Sequence, residues 1–151
     1  MNTNIRSIAA RLVLIGGLAG SAAAIVPGVA GAGCTGKTIV ATANNQTLNG
    51  TGCDDIFKLM QYSNVTVRAG NGNDTIHAGF VGNGGINYIY GEGGNDRVRQ
   101  LNDRQVWVSG GSGNDTVEGS NGYDAFYGGT GTDTFIDAQP GDFYAEVEAF
   151  G

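Results

Sequence analysis

The sequence predicts an all-β fold built from short repeats that coil around a common axis. Three consecutive nine-residue blocks, 110–118, 119–127 and 128–136, fit the pattern Gly-Gly-x-Gly-x-Asp-x-apolar-x, with Ser120 in one glycine position. Each block joins a glycine-built turn to a short stretch whose central apolar side chain faces inward, which is the two-residue periodicity of a β-strand. Two blocks give turn, strand, turn and strand, so one coil takes 18 residues.

Less regular copies surround these three blocks. Copies centred on Asp96 and Asn87 precede them, and a copy that ends in Asp74 fits well but is out of phase. A degenerate copy with one extra residue is expected to place Gln105 at the aspartate position and Trp107 at the apolar position. Further copies are expected around residues 50–56 and at Asp142. The inward-facing residues are predicted to be Ile76, Ile89, Val98, Trp107, Val117, Phe126 and Phe135.

The glycines and the aspartate of each block together indicate a metal site. Glycine permits positive φ, so a glycine-rich turn can point successive carbonyl oxygens inward, and the aspartate adds a hard anionic oxygen. Such an all-oxygen set suits Ca²⁺, which accepts six to eight oxygen ligands in flexible geometry. Zinc is disfavoured, because the repeats offer neither imidazole nor a set of free thiolates.

This nonapeptide resembles the repeat of the RTX, or haemolysin-type calcium-binding, family over roughly residues 50–144. The resemblance implies a right-handed parallel β-roll, a β-solenoid in which Ca²⁺ lies between turns stacked 18 residues apart. Asp115 and Asp133 would then share an ion on one edge, which Asp96 would join, and Asp124 and Asp142 would stack on the opposite edge. The expected calcium ligands are Asp74, Asp96, Gly110, Gly111, Gly113, Asp115, Gly122, Asp124, Gly128, Gly129, Gly131 and Asp133.

The first 32 residues have the features of a secretory signal peptide. Arg6 and Arg11 precede an apolar run over 12–26, and the small residues of 30–32 match a cleavage site. The run is short for a membrane span and is interrupted by glycines. We therefore expect a secreted, extracellular bacterial protein without a membrane span in its mature form. The predicted organisation is a signal peptide (1–32), an N-terminal cap (33–68), the calcium-binding β-roll (69–144) and a C-terminal tail (145–151).

Charge and cysteine content support this interpretation. Removal of residues 1–32 takes away two of the eight basic residues and none of the fourteen acidic ones, which leaves a net charge of −8. Such a body repels nucleic acid and attracts cations. Cys34 and Cys53 both follow the predicted cleavage site, and in an oxidising compartment they are expected to form a disulfide. The alternative is that Cys34 carries a lipid anchor.

Two other features of the sequence allow both a structural and a functional interpretation. Residues 31–38 match the P-loop string Gly-x4-Gly-Lys-Thr, but no pattern of alternating strands and helices follows. The tyrosines at 88, 90, 123 and 127 flank inward positions and are candidates for an exposed aromatic strip. Catalytic pairs of nucleophile and base are not evident, so an enzyme is not expected.

The sequence leaves two functions open. The first is a secreted, non-enzymatic protein in which Ca²⁺ stabilises the β-roll for a structural or adhesive role. The second is an interaction module whose calcium-ordered surface recognises glycan, cell wall, ice or a protein partner. In both cases we expect folding to depend on calcium, because apolar burial and ladder hydrogen bonds nearly cancel the cost of ordering the backbone, while the stacked carboxylates repel one another.

Overall fold

The computed structural model describes residues 34–79, 85–100 and 105–151, which form a β-solenoid of about five turns. The predicted all-β class and the parallel stacking of coils are therefore confirmed. The predicted signal peptide lies outside the described residues. Within the described ranges no helix is long and apolar enough to cross a membrane.

Short strands alternate with tight turns along the whole described chain. In chain order the strands are β1 Thr38–Val40, β2 Thr47–Thr51, β3 Ile56–Lys58, β4 Thr66–Asn71, β5 Thr75–His77, β6 Asn87–Gly93, β7 Arg97–Arg99, β8 Val106–Ser112, β9 Thr116–Glu118, β10 Ala125–Thr130, β11 Thr134–Ile136, β12 Phe143–Ala145 and β13 Ala149–Phe150. Strand pairing thus also includes residues before 69 and after 144, where the repeat is hard to recognise in the sequence.

The strands form two sheets of parallel strands. The seven-stranded sheet has the order β1-β3-β5-β7-β9-β11-β13, and the six-stranded sheet has the order β12-β10-β8-β6-β4-β2. Every strand pairs with the strand one coil away, for example β9 with β11 in the register Val117↔Phe135. Successive coils therefore stack directly on one another, and each repeat position forms a column along the solenoid.

The core is built around one inward-facing residue of each strand from β2 to β11. These inward residues are almost fully buried, because alternate residues of a strand point to opposite faces. The column of the seven-stranded sheet comprises Phe57, Ile76, Val98, Val117 and Phe135, and that of the six-stranded sheet comprises Leu48, Val67, Ile89, Val108 and Phe126. Phe126 and Phe135 meet edge to face with ring centroids 5.8 Å apart.

The prediction for the degenerate copy was wrong by one residue. Val108 occupies the inward column, and Val106 lies at the aspartate position, whereas Trp107 points outward and is only partly buried. Two valines flank Trp107, so either phase places an apolar residue inside, and the phase with the small residues fits the narrow core. The extra residue therefore lies between Asp96 and Val106 in the sequence.

The predicted disulfide is present between Cys34 and Cys53, whose Cα atoms are 5.6 Å apart. It joins the segment before β1 to the turn that follows β2. The backbone N–H of Lys37 also donates to Asp55 Oδ1 at 2.6 Å, so the first strand is fastened both covalently and by hydrogen bonds. Lys37 and Thr38 of the P-loop string lead into β1, a strand, and so no helix N-terminus is available to hold a phosphate there.

Candidate metal site along one edge of the solenoid

Five aspartates form a column along one edge, where strands of the six-stranded sheet turn into strands of the seven-stranded sheet. We call this edge the first edge and the column the aspartate ladder; its members are Asp55, Asp74, Asp96, Asp115 and Asp133. All five are at most 3% exposed. Asp96, Asp115 and Asp133 lie on the same edge, as the sequence analysis predicts.

One carboxylate oxygen of each aspartate is held by the neighbouring coil. The backbone N–H of Asp115 donates to Asp133 Oδ1 at 2.8 Å, and that of Asp96 donates to Asp115 Oδ1 at 2.8 Å. The same bond joins Asp74 to Asp96 and Asp55 to Asp74. These bonds fix the orientation of every carboxylate and couple each coil to the next.

The second oxygen has no such partner in four of the five aspartates. Oδ2 is buried without a hydrogen-bond donor from the described residues in Asp74, Asp96, Asp115 and Asp133. Buried side-chain oxygens without a partner are rare in proteins and indicate a missing ion or water. Asp55 differs, because its Oδ2 accepts hydrogen bonds from the Thr51 N–H at 2.6 Å and from the Thr51 hydroxyl at 2.9 Å. Both carboxylate oxygens of Asp55 therefore have hydrogen-bond donors within the protein.

Glycines leave a small space beside these oxygens. A Cβ added to Gly110 would collide with Asp115 Oδ2 and would lie 2.6 Å from the carbonyl oxygen of Gly128 in the next coil. At Gly128 the Cβ would lie 2.5 Å from Asp133 Oδ2 and would collide with the carbonyl oxygen of Glu146. A carboxylate oxygen and a carbonyl oxygen thus face the same space, which a side chain would fill.

The turns themselves require the positive φ that glycine adopts easily. Gly111 and Gly113 have φ of 113° and 121°, and Gly129 and Gly131 have φ of 108° and 138°. Glu92 takes the equivalent position in an earlier coil with φ of 72°. This backbone conformation explains why the repeat demands glycine at these positions.

The buried carboxylates resist ionisation when no cation is bound. Burial, with a smaller contribution from neighbouring carboxylates, raises the pKa of Asp74 and Asp96 to about 7 and that of Asp115 to about 6. The pKa of Asp133 is raised for the same reason. Because a bound cation stabilises the ionised form, this ladder favours a positive ion at its unpaired oxygens.

The opposite edge is different. Asp124 lies there in the turn that contains Gly122, stacked below Asp142, whose Oδ1 accepts the Asp124 N–H at 2.9 Å. Burial raises the pKa of Asp124 to about 6. However, both of its oxygens have donors: Oδ1 accepts the Val106 N–H at 3.0 Å, and Oδ2 accepts the Ser120 N–H at 3.1 Å. Asn87 supplies an amide instead of a carboxylate further along this edge, where its Oδ1 accepts the Val65 N–H.

The sequence pattern did not reveal two features of the first edge. A second ladder lies beside the aspartates, in which each side-chain oxygen accepts the N–H of the next coil: Asp54, Asn73, Asn95 and Asn114. The repeated Asn-Asp pairs are its signal in the sequence. Glu148 ends the aspartate ladder by accepting the Asp133 N–H at 2.7 Å, but its spacing of 15 residues breaks the repeat.

The oxygen atoms present fit calcium better than other common metals. In the described part of the chain no group of three or more His, Cys, Asp and Glu side chains could hold a metal ion, so a metal site here would need backbone oxygens as well. Each rung instead offers one carboxylate oxygen and nearby backbone carbonyls. Hard oxygens from carboxylates and carbonyls in turns of adaptable geometry are the ligands of calcium.

Comparison with known families gives the same result. A family model described as the RTX calcium-binding nonapeptide repeat matches four copies, over residues 63–80, 80–99 and 107–136. The comparisons with curated proteins and with solved structures returned no match.

Proposed function

We propose that this chain, which belongs to the RTX calcium-binding repeat family through residues 63–136, is a secreted structural protein whose Ca²⁺ ions hold the coils of its solenoid together along the first edge. The observation that carries the proposal is the set of four buried Oδ2 atoms, in Asp74, Asp96, Asp115 and Asp133, without a donor. The repeat is a calcium-binding, generally non-catalytic unit, and we assign no enzymatic activity.

The ligands would come from two stacked turns. We infer that an ion beside Asp115 is held by its Oδ2 and by carbonyl oxygens of the glycine turns, with Gly110, Gly111 and Gly113 in one coil and Gly128, Gly129 and Gly131 in the next. On the opposite edge both oxygens of Asp124 are satisfied by the protein, so ions there would contribute less.

The energetic reason for the ions is the cost of burying ionised carboxylates, to which the repulsion within the ladder adds. Adjacent carboxylates lie about one strand spacing, ~4.8 Å, apart. Two unit charges at that distance repel by roughly 3 kcal/mol at an effective dielectric constant of 20. A shared divalent ion removes this repulsion and replaces it with attraction to both coils. Stability therefore comes from calcium together with the narrow apolar core.

Location and role are supported by the N-terminal part of the chain. The pattern of residues 1–32 is that of a signal peptide, and a disulfide between Cys34 and Cys53 is typical of an oxidising compartment. Extracellular calcium at about millimolar levels matches the weaker calcium sites of extracellular modules. We infer that the chain is exported, folds outside the cell and acts there as a structural or adhesive element.

A second candidate function rests on the exposed aromatic side chains of the six-stranded sheet. The calcium-ordered surface would in that case recognise a partner, of which glycan, cell wall, ice and protein are the alternatives. The rings of Tyr88, Tyr90 and Trp107 lie close together on this face, so the observation favours a contact with apolar character.

The test is far-UV circular dichroism of the chain without residues 1–32, first in chelator and then during titration with Ca²⁺. We expect a weakly structured spectrum in chelator and sheet formation at about millimolar Ca²⁺. Mg²⁺ is the control, because its strict octahedral geometry suits these turns poorly. An unchanged, strand-rich spectrum in chelator would show that calcium is not needed for the fold.

A further inference from the structure

The outer face of the six-stranded sheet carries a row of aromatic rings that form two contacting groups. Outward side chains of β6, β8, β10 and β12 contribute to it, and we call it the aromatic strip: Tyr88, Tyr90, Trp107, Tyr127 and Phe143. Trp107 lies 5.3 Å from Tyr90 and 6.3 Å from Tyr88, measured between ring centroids, and Tyr127 lies 5.5 Å from Phe143. Tyr88, Tyr127 and Phe143 are 40–51% exposed.

Strand register explains why these rings form one strip. Tyr88, Trp107 and Phe143 lie in one outward column. Tyr88 pairs with Trp107, Trp107 pairs with Ala125, and Ala125 pairs with Phe143. Tyr90 and Tyr127 lie two residues further along their strands, in a second column. The strip therefore runs along the solenoid axis over four coils.

The corresponding sequence expectation was partly wrong. Tyr88, Tyr90 and Tyr127 lie on this face as expected, whereas Tyr123 lies in a turn, 66% exposed, against Gly141. Trp107 takes a central place because the degenerate copy is shifted by one residue. The one-residue shift turns Trp107 outward, next to Tyr88 and Tyr90, which the repeat pattern alone does not predict.

The size of the strip decides between classes of partner. Three strand spacings of about 4.8 Å make it roughly 14 Å long, and two residues of strand make it roughly 7 Å wide. The resulting area of roughly 100 Å² is far below the ~800 Å² that each partner contributes to a specific protein interface. A second copy of the chain or a globular protein would therefore have to contact much surface beyond the strip.

The chemistry of the strip suits a sugar chain. Tyrosine and tryptophan combine an apolar ring with a polar group, so they can pack against the C–H face of a pyranose and bond to its hydroxyls. Ser109 lies between Tyr90 and Tyr127 in the second column and adds a hydroxyl. Neighbouring rings are tilted by 44–57°, so the surface is stepped rather than flat.

The charges around the strip favour a neutral ligand. The Arg68 guanidinium lies 5.1 Å from the centroid of the Tyr90 ring and also pairs with Glu92 at 3.5 Å, so its charge is balanced. The chain without residues 1–32 carries a net charge of −8 and repels polyanions. We propose that the aromatic strip binds a linear, neutral oligosaccharide whose rings lie along the solenoid axis over Tyr90, Trp107 and Tyr127. This inference deepens the second candidate function and rests on the folded solenoid.

Trp107 is the only tryptophan of the chain and reports on its own site. Its fluorescence would be followed in Ca²⁺ during titration with β-1,4-linked glucose and N-acetylglucosamine hexasaccharides, with the monosaccharides as controls. We expect a saturable shift with at least one hexasaccharide and little with either monosaccharide. Tyr90→Ala should weaken binding about tenfold, in line with the loss of one stacked ring. Tyr123→Ala, an exposed tyrosine away from the strip, should leave the affinity unchanged.

Circular dichroism of the same samples separates the possible failures. A sheet spectrum with no fluorescence change for either hexasaccharide would overturn the strip inference and leave the calcium proposal standing. A Trp107 signal that depends on protein concentration and disappears in Tyr127→Ala would identify a second copy as the occupant and would also overturn it. A chain without sheet structure in Ca²⁺ would overturn both, because the strip exists only on the folded sheet.

Discussion

Replacing Asp115 with Asn should stabilise the calcium-free fold and remove the stabilisation that calcium provides at this site. The amide oxygen of Asn can still accept the Asp96 N–H that Asp115 Oδ1 accepts at 2.8 Å, so the contact between coils is kept. What changes is the buried Oδ2, which has no donor from the described residues. The substitution removes a buried charge and one anionic calcium ligand at the same time.

Both magnitudes follow from the site. Burial raises the pKa of Asp115 from the ordinary aspartate value to about 6, which corresponds to roughly 3 kcal/mol of destabilisation of the ionised, ion-free fold. An uncharged amide removes this cost. Calcium at 100 times its Kd adds about 2.7 kcal/mol to the natural sequence at this site, which corresponds to a rise in Tm of roughly 10 °C that the variant should lack.

The assay is circular dichroism under two conditions. In chelator, the osmolyte TMAO is used to induce folding, and Asp115→Asn should need less of it than the natural sequence. As Ca²⁺ is raised to saturation, the temperature of thermal unfolding should rise less in the variant than in the natural sequence. Asp137→Asn is the matched control, because Asp137 is exposed and its φ of 60° suits Asn equally well. A variant destabilised to the same extent in both conditions would mean that Asp115 only joins two coils and does not bind an ion.

Three further results are expected. Gly110→Ala should lower the free energy of unfolding in calcium by roughly 1–3 kcal/mol, because its Cβ would enter the space beside Asp115 Oδ2. Gly52→Ala is the control and should be nearly neutral, because a Cβ there meets nothing within 4 Å. Equal losses in the two variants would contradict an ion site beside Gly110. Reduction of the Cys34–Cys53 disulfide should lower the free energy of unfolding, followed by thermal melts, by about 3 kcal/mol. Reductant should have no effect on the control variant in which both cysteines are replaced by serine. In chelator, sheet content should fall as pH rises from about 4 to 7, because in this range the folded, ion-free chain binds more protons than the unfolded chain through groups such as Asp96, whose pKa is raised to about 7. Calcium should reverse this trend, because it binds the ionised carboxylates. Parallel pH curves with and without calcium would contradict calcium binding by these aspartates.

The regular repeats made most of the fold predictable. Where glycine and aspartate recur in the pattern, as in blocks 110–118 and 128–136, the position in the sequence defines the coil, the edge and the facing of each side chain. Asp115 and Asp133 therefore lie on one edge as expected. The constraint is physical, because the turn requires glycine for its φ and a one-residue slip would reverse every side chain of a strand.

The irregular parts were not predictable in the same way. Trp107 was placed inside because it is apolar, but Val106 and Val108 satisfy the core equally well in the shifted phase. The pattern distinguishes the two edges only by the glycines missing before Asp142 and by Asn87 in place of an aspartate. Asp124 and Asp115 occupy the same repeat position, and only the structure shows that protein donors reach both oxygens of Asp124 and leave one oxygen of Asp115 without a partner.

The most direct measurement is a crystal structure of the chain grown in calcium. We expect cations between successive coils of the first edge, beside Oδ2 of Asp96, Asp115 and Asp133. Each cation should lie about 2.3–2.6 Å from the Oδ2 atom and from the neighbouring glycine carbonyl oxygens. Density for water alone beside these oxygens at saturating calcium, with the coils still stacked, would contradict the central claim.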